Sequence, residues 1–225
     1  MRCASALVVA FALVLGIAQP VPARSSWLGR IAQKYAGLES LSARYERITR
    51  LMPSPTKGMG ELKASGKLVW ARELKLRMDQ ISPTREIVIS NGEIVWWVRP
   101  EKSEVQIYAL QHFTEGLKSL VGALGALEKL KQDYEVQELS PGSTHIKLVL
   151  IPRHPRLEMA KLTCWFSADS LVIEGIRITT MLGESTTYRL QRVQLNPPIP
   201  PGTFTYSPPA GYHIIDNRPI TEPRM

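Results

Sequence analysis

The sequence predicts a mainly β, α+β fold: one antiparallel sheet with an N-terminal helix and a helical insertion between its halves. Three observations carry that expectation. Residues 62–78, "LKASGKLVWARELKLRM", put Leu62, Ala64, Gly66, Leu68, Trp70, Leu74, Leu76 and Met78 on even positions and mostly charged residues on odd ones, the period-2 pattern of a strand with one buried face. Asn91–Gly92 between two apolar runs is a strong hairpin signal. Two stretches, 26–43 and 113–131, switch to helical spacing.

The chain opens with Met1–Arg2, runs apolar from Ala6 to Ala18 and reaches small residues and prolines up to Ala23. A charged start, a short apolar core and a small-residue cleavage zone read as a secretory signal peptide over residues 1–23. The apolar run of 13 residues falls short of the roughly 20 that a spanning helix needs. Cleavage after Ala18 or after Ala23 fits the pattern, and neither leaves a cysteine at the new terminus. An exported, soluble chain is expected, with residues 24–225 forming a single domain.

In 26–43, Trp27, Leu28, Ile31, Tyr35, Leu38 and Leu41 share one helical face, with Ser25 or Ser26 as the cap. Consecutive short strands are expected from about 43 to 110. In 113–131, Phe113, Leu117, Leu120, Val121, Leu124, Leu127 and Leu130 line a second helical face. Gly116, Gly122 and Gly125 weaken that helix by about 1 kcal/mol each relative to Ala. Strands resume over 133–139, 144–151, 160–168, 171–180 and 184–195. The end carries six prolines between Leu195 and Tyr212 and should wrap the sheet as extended chain, with one edge strand near 212–215.

The net charge is +8, one less once Arg2 leaves with the leader. Such a surface suits acidic partners or anionic membranes; export argues against nucleic acid. Cys164 shares a strand face with Leu162 and Phe166 and reads as a buried hydrophobe. The four histidines are scattered without ligand spacing, and no nucleophile elbow, phosphate loop or dinucleotide fingerprint occurs. No metal, no cofactor and no enzymatic activity are therefore expected.

What stands out is apolar surface. In "EIVISNGEIVWWVRP" both strand faces are apolar: Ile94, Trp96 and Val98 on one, Val95 and Trp97 on the other. A second apolar face is either an ordinary core roofed by the 113–131 helix or a cavity for an apolar ligand.

Residues 66–110 resemble the outer-membrane lipoprotein carrier (LolA) family. Arg72, Pro83, Ser90–Asn91–Gly92, Trp96, Pro100 and Glu104–Val105 fall on that family's pattern without a gap, and "RVQLNPPIPPGTFTYSPPAGYHII" is similar to its ending. Leu76 and Met78 stand where the family has Phe and Trp, and Glu73–Leu74 replaces its Pro-containing turn. The resemblance implies an incomplete antiparallel β-barrel, a half-barrel, with a helical lid over a hydrophobic cavity. It implies a periplasmic chaperone that carries lipoproteins from the inner to the outer membrane as a monomer. Its partners would be lipoprotein acyl chains, an inner-membrane lipoprotein-releasing ABC transporter and an outer-membrane receptor lipoprotein. A carrier of the same fold for another lipid or glycolipid, or a lipid-sensing domain, is the alternative. Burial is worth about 0.8 kcal/mol per methylene, so acyl chains need such shielding to cross water.

On this reading Leu68, Trp70, Leu76, Met78, Ile87, Ile89, Trp96 and Val105 line the cavity, or else form a closed core. Leu117, Leu120, Val121 and Leu124 contact it from the lid. Arg72, the lone charge on the even positions of residues 62–78, is either a residue at a strand end reaching water or a lid latch. The resemblance implies the latch, with the guanidinium holding unpaired backbone carbonyls.

Overall fold

The computed structural model describes residues 26–52, 60–112, 130–139, 144–154, 157 and 159–219. The expected signal peptide and most of the stretch 113–131 expected to be helical, with Leu117, Leu120, Val121 and Leu124, lie outside them.

Helix α1 spans Trp27–Tyr35. Ser26 caps it, its hydroxyl oxygen accepting from Gly29 N at 3.1 Å. Leu28, Ile31 and Tyr35 form its buried face. The helix is shorter than the expected 26–43. Leu38 and Leu41 are buried as anticipated, but from Ser40 the chain is strand. The physical reason is pairing on both sides: this strand bonds one neighbour from Ser40 to Arg50 and another from Leu41 to Arg50, which outweighs local helical spacing.

The strands are β1 (Ser40–Arg50), β2 (Glu61–Ala71), β3 (Lys75–Ser82), β4 (Glu86–Asn91), β5 (Ile94–Arg99), β6 (Glu104–Ala109), β7 (Tyr134–Leu139), β8 (His145–Pro152), β9 (Lys161–Ser167), β10 (Ile173–Thr179), β11 (Ser185–Leu195) and β12 (His213–Asp216). They form one sheet of twelve strands in the order β12-β6-β5-β4-β3-β2-β1-β11-β10-β9-β8-β7. Neighbours are antiparallel except β12, which lies parallel to β6.

The alternation over 62–78 is a hairpin rather than one strand. Ala71 pairs with Lys75 and Trp70 with Leu76, leaving Arg72, Glu73 and Leu74 as a three-residue loop. An odd loop keeps parity, so even positions stay on one face across the turn. Glu73 and Leu74 hold positive φ of 62° and 60°, a conformation that costs L-residues roughly 1–2 kcal/mol each. The loop is braced by the next hairpin: Ser90 Oγ donates to Leu74 O at 3.0 Å and accepts from Gly92 N at 3.1 Å. Gly92 sits at φ 101°, and a Cβ there would lie 2.3 Å from Glu73 O.

Cross-strand pairing defines two faces. One carries Leu41, Leu68, Trp70, Leu76, Met78, Ile146, Leu148, Leu150, Leu162, Cys164, Phe166, Ile176 and Ile178, a single buried cluster that also takes in α1. We call this the inner face. The sheet must curl to bury it. α1 is nine residues, about 14 Å long, yet its first N–H donates to Glu138 of β7 while the carbonyl after its last turn is bound by Arg72, next to β2. In a flat sheet β2 and β7 would lie about 29 Å apart. The fold is an open, curled, mainly β sheet with α1 on its inner face.

On the other face Ile89, Val98 and Val105 are also buried. The proline-rich segment reaches this side, where Arg77, paired opposite Ile89, donates from Nη1 to Thr203 O at 3.4 Å.

Candidate functional site

The inner face is a buried apolar layer, and the helix packed on it has polar fastenings at both ends. At the start of α1, Trp27 N donates to Glu138 Oε2 at 2.8 Å; a carboxylate there also favours the positive end of the helix dipole. Along the helix, Tyr35 packs edge-on to Phe166 at 6.0 Å, and its hydroxyl accepts from Ile173 N at 2.9 Å. That N–H lies beside the register shift between Ile173 and Gly175, where the ladder leaves it to another partner.

At the end of α1, Arg72 donates from Nε to Leu38 O at 2.8 Å and from Nη2 to Ala36 O at 3.1 Å. Ala36 is the helix C-cap, so its carbonyl is one of those a helix leaves without an internal partner. The Glu39 carboxylate lies 3.0 Å from the Arg72 Nε, and the Arg72 side chain is 50% exposed. Asn196 holds the same linker from the other side. Its Oδ1 accepts from Glu39 N at 2.8 Å and Ser40 N at 3.2 Å, and its Nδ2 donates to Gly37 O at 3.1 Å. Its φ of 55° suits Asn better than most residues.

Away from α1 the inner face turns more polar. Arg47 Nη2 donates to Gln80 Oε1 at 3.1 Å, beside Tyr45 and Tyr188, whose rings meet edge-on at 6.0 Å. Burial pushes the Tyr45 phenol up to about 12, with Arg47 pulling the other way. It does the same to Tyr35, opposed by the Ile173 N–H. Burial also pushes the Cys164 thiol up to about 12, so this cysteine behaves as a buried apolar residue of the core rather than a nucleophile. Trp70 is 1% exposed, and its Nε1 has no hydrogen-bond partner among the described residues.

The eight wall residues named from sequence divide into two sets. Leu68, Trp70, Leu76 and Met78 lie together on the inner face. Ile87, Ile89, Trp96 and Val105 lie on the opposite face, as the pairings Arg77–Ile89–Trp96 and Ile87–Val98–Val105 require. Arg72 stands in the loop beyond β2, bonded to the backbone that follows α1. Sequence reasoning missed Asn196, Tyr35 and Glu138 as fastenings. Asn before Pro–Pro at a strand end was a usable signal for Asn196; nothing local marked the other two.

Among the described residues no group of His, Cys, Asp and Glu could hold a metal ion, and no helix is long and apolar enough to cross a membrane.

Comparisons with known proteins find related sequences and a similar overall fold. An outer-membrane lipoprotein carrier protein of Alkalilimnicola ehrlichii is 24% identical over 216 residues, covering 96% of this chain and 95% of that one. One of Dechloromonas aromatica is 24% identical over 153 residues, covering 68% and 71%. A crystal structure of an uncharacterized conserved protein from Thermus thermophilus has the same fold at 8% identity, with a TM-score of 0.50 over 84% of this chain and 97% of that one. The family model described as outer membrane lipoprotein carrier protein LolA matches residues 52–207. That span exceeds half of the sequence, and the chain belongs to the LolA family.

Proposed function

We propose that this chain is a periplasmic carrier that shields lipoprotein acyl chains on its inner face between the inner and outer membranes. The observation that supports this most is the inner face itself, an apolar surface built from seven strands and closed by α1 rather than by a second sheet. A single helix held by three buried side chains and a handful of hydrogen bonds can yield to an entering chain more readily than a second hydrogen-bonded sheet.

On this reading residues 1–23 are a cleaved signal peptide and residues 24–225 the carrier domain. Leu68, Trp70, Leu76 and Met78 contribute to the wall, and the 113–131 segment acts as a helical lid through Leu117, Leu120, Val121 and Leu124. Arg72 is the latch. Cargo arrives from an inner-membrane ABC transporter and leaves to an outer-membrane receptor. The protein works as a monomer and performs no chemistry on its cargo. Binding must be tight enough to displace α1 and loose enough to allow release.

The test is a solvatochromic hydrophobic probe. The carrier reading expects the probe to bind with a blue-shifted emission and to be displaced by a triacylated lipopeptide but not by the same peptide without acyl chains. A probe that does not bind, or is displaced equally by both, overturns it.

A further inference from the structure

A buried tryptophan N–H normally finds an acceptor. Trp70 is 1% exposed and its Nε1 has none among the described residues. Its direct cross-strand neighbours are Leu41 and Leu76, which offer only hydrocarbon. Ser90, opposite Leu76, is already committed to Leu74 O and Gly92 N. Indole N–H donates and cannot accept, so this site lacks one thing: an acceptor. Water is a poor candidate, because a buried water needs two to four polar partners.

We propose that the Trp70 indole N–H is the donor that receives the carbonyl of an acyl ester or amide seated on the inner face. This rests on the carrier reading and deepens it by naming the atom that registers the cargo. An acyl chain brings hydrocarbon for the wall and one strong acceptor, its carbonyl, at the boundary between chain and headgroup. Trp70 stands at the matching boundary. It lies two residues before Arg72, about 7 Å along β2 from the loop that grips the end of α1. Releasing that grip uncovers the rim beside Trp70. The carbonyl then docks just inside the rim, the chain runs inward past Leu68 and Met78, and the headgroup remains outside.

The experiment compares methyl laurate, N-methyl lauramide and an alkane of matched length as displacers of a bound hydrophobic probe, for the full mature chain and for Trp70→Phe. Phenylalanine keeps an apolar ring and removes the N–H. In the wild type the carbonyl compounds are expected to bind better relative to the alkane than in Trp70→Phe, the ratio changing by roughly five- to tenfold. An ester-only or amide-only change identifies which linkage is read. As a second measurement, independent of whether Trp70→Phe folds, the ¹⁵N-labelled indole resonance of Trp70 in the wild type should move downfield with a carbonyl compound and not with the alkane. If all three compounds bind but neither the ratio nor the resonance responds, this inference fails and the carrier reading stands. If none binds, both fail.

Discussion

The guanidinium of Arg72 donates to the Leu38 carbonyl at 2.8 Å, joining the loop after β2 to the backbone that leaves α1. A permanent charge within an apolar alternation thus has a place: the loop lifts it off the inner face, and the end of the helix supplies the carbonyls. The contact is half open to water, so it contributes about 1 kcal/mol at most. On the carrier reading, that is the scale expected of a fastening that opens in use.

Arg72→Leu is expected to fold, with an unfolding midpoint close to wild type. Without the grip, the open form becomes cheaper and cargo is held more tightly. Loading with acylated peptide should therefore be unchanged or improved, while transfer to an acceptor slows severalfold. A stopped-flow transfer assay decides; wild-type transfer by this variant removes Arg72 as a latch.

Asn196 should matter more for structure than Arg72. Its side chain satisfies Glu39 N, Ser40 N and Gly37 O. Asn196→Ala loses these bonds and strains the left-handed backbone at φ 55°; Asn196→Gly loses only the bonds. Losses of about 2 to 3 kcal/mol for Ala, and about 1 kcal/mol less for Gly, are expected in urea unfolding. Faster amide exchange at Glu39 and Ser40 should accompany both. Equal losses would mean that the backbone conformation carries no strain.

Much of this architecture was legible in the sequence because most strands have one polar face. The Asn91–Gly92 turn and the late strands follow from alternation and turn residues. The hairpin at 71–75 does not: its three-residue loop preserves the alternation, and Glu73 and Leu74 take positive φ without being turn-forming residues. Which face is inner did not follow. Between Ile87 and Val98 both faces are largely apolar, so alternation cannot distinguish the α1 side from the side reached by the proline-rich segment, and half of the expected wall residues fall on the far face. Leu41 fits helical spacing and strand burial equally well, and pairing of β1 on both sides decides between them; Leu38 is buried in the linker between α1 and β1. The fastenings of α1 join residues far apart in sequence, such as Trp27 to Glu138, and leave no local pattern.

Gly66 fills a close approach of β2 to β3. A Cβ there would lie 2.1 Å from Asp79 O, which is backbone and cannot swing aside. Gly66→Ala should cost about 3 kcal/mol. Gly29, in the first turn of α1, is the control: its Cβ would meet Ser26 Oγ at 3.4 Å, an ordinary contact. Gly29→Ala should stabilise by roughly 0.5–1 kcal/mol. Thermal unfolding of the pair checks the opposite signs.

Alkali should unfold the protein through its buried phenols. Tyr35 and Tyr45 are held at about 12 against an ordinary 10.0, so the fold favours their neutral forms. Their contribution is fully present below about pH 10, where the unfolded chain begins to ionise, and is lost as pH rises through about 12. The urea midpoint should fall across that window, with late phenolate absorbance. Ionisation of both phenols near pH 10 with the fold intact would contradict this.

The central claim is that the inner face carries lipoprotein acyl chains. Its most direct test is native mass spectrometry of the protein purified from its own periplasm without detergent. The carrier reading predicts a bound population carrying acylated polypeptides, reduced when inner-face Leu76 is replaced by Glu. Repeated preparations containing only the bare protein, with no lipid or lipoprotein, would contradict it.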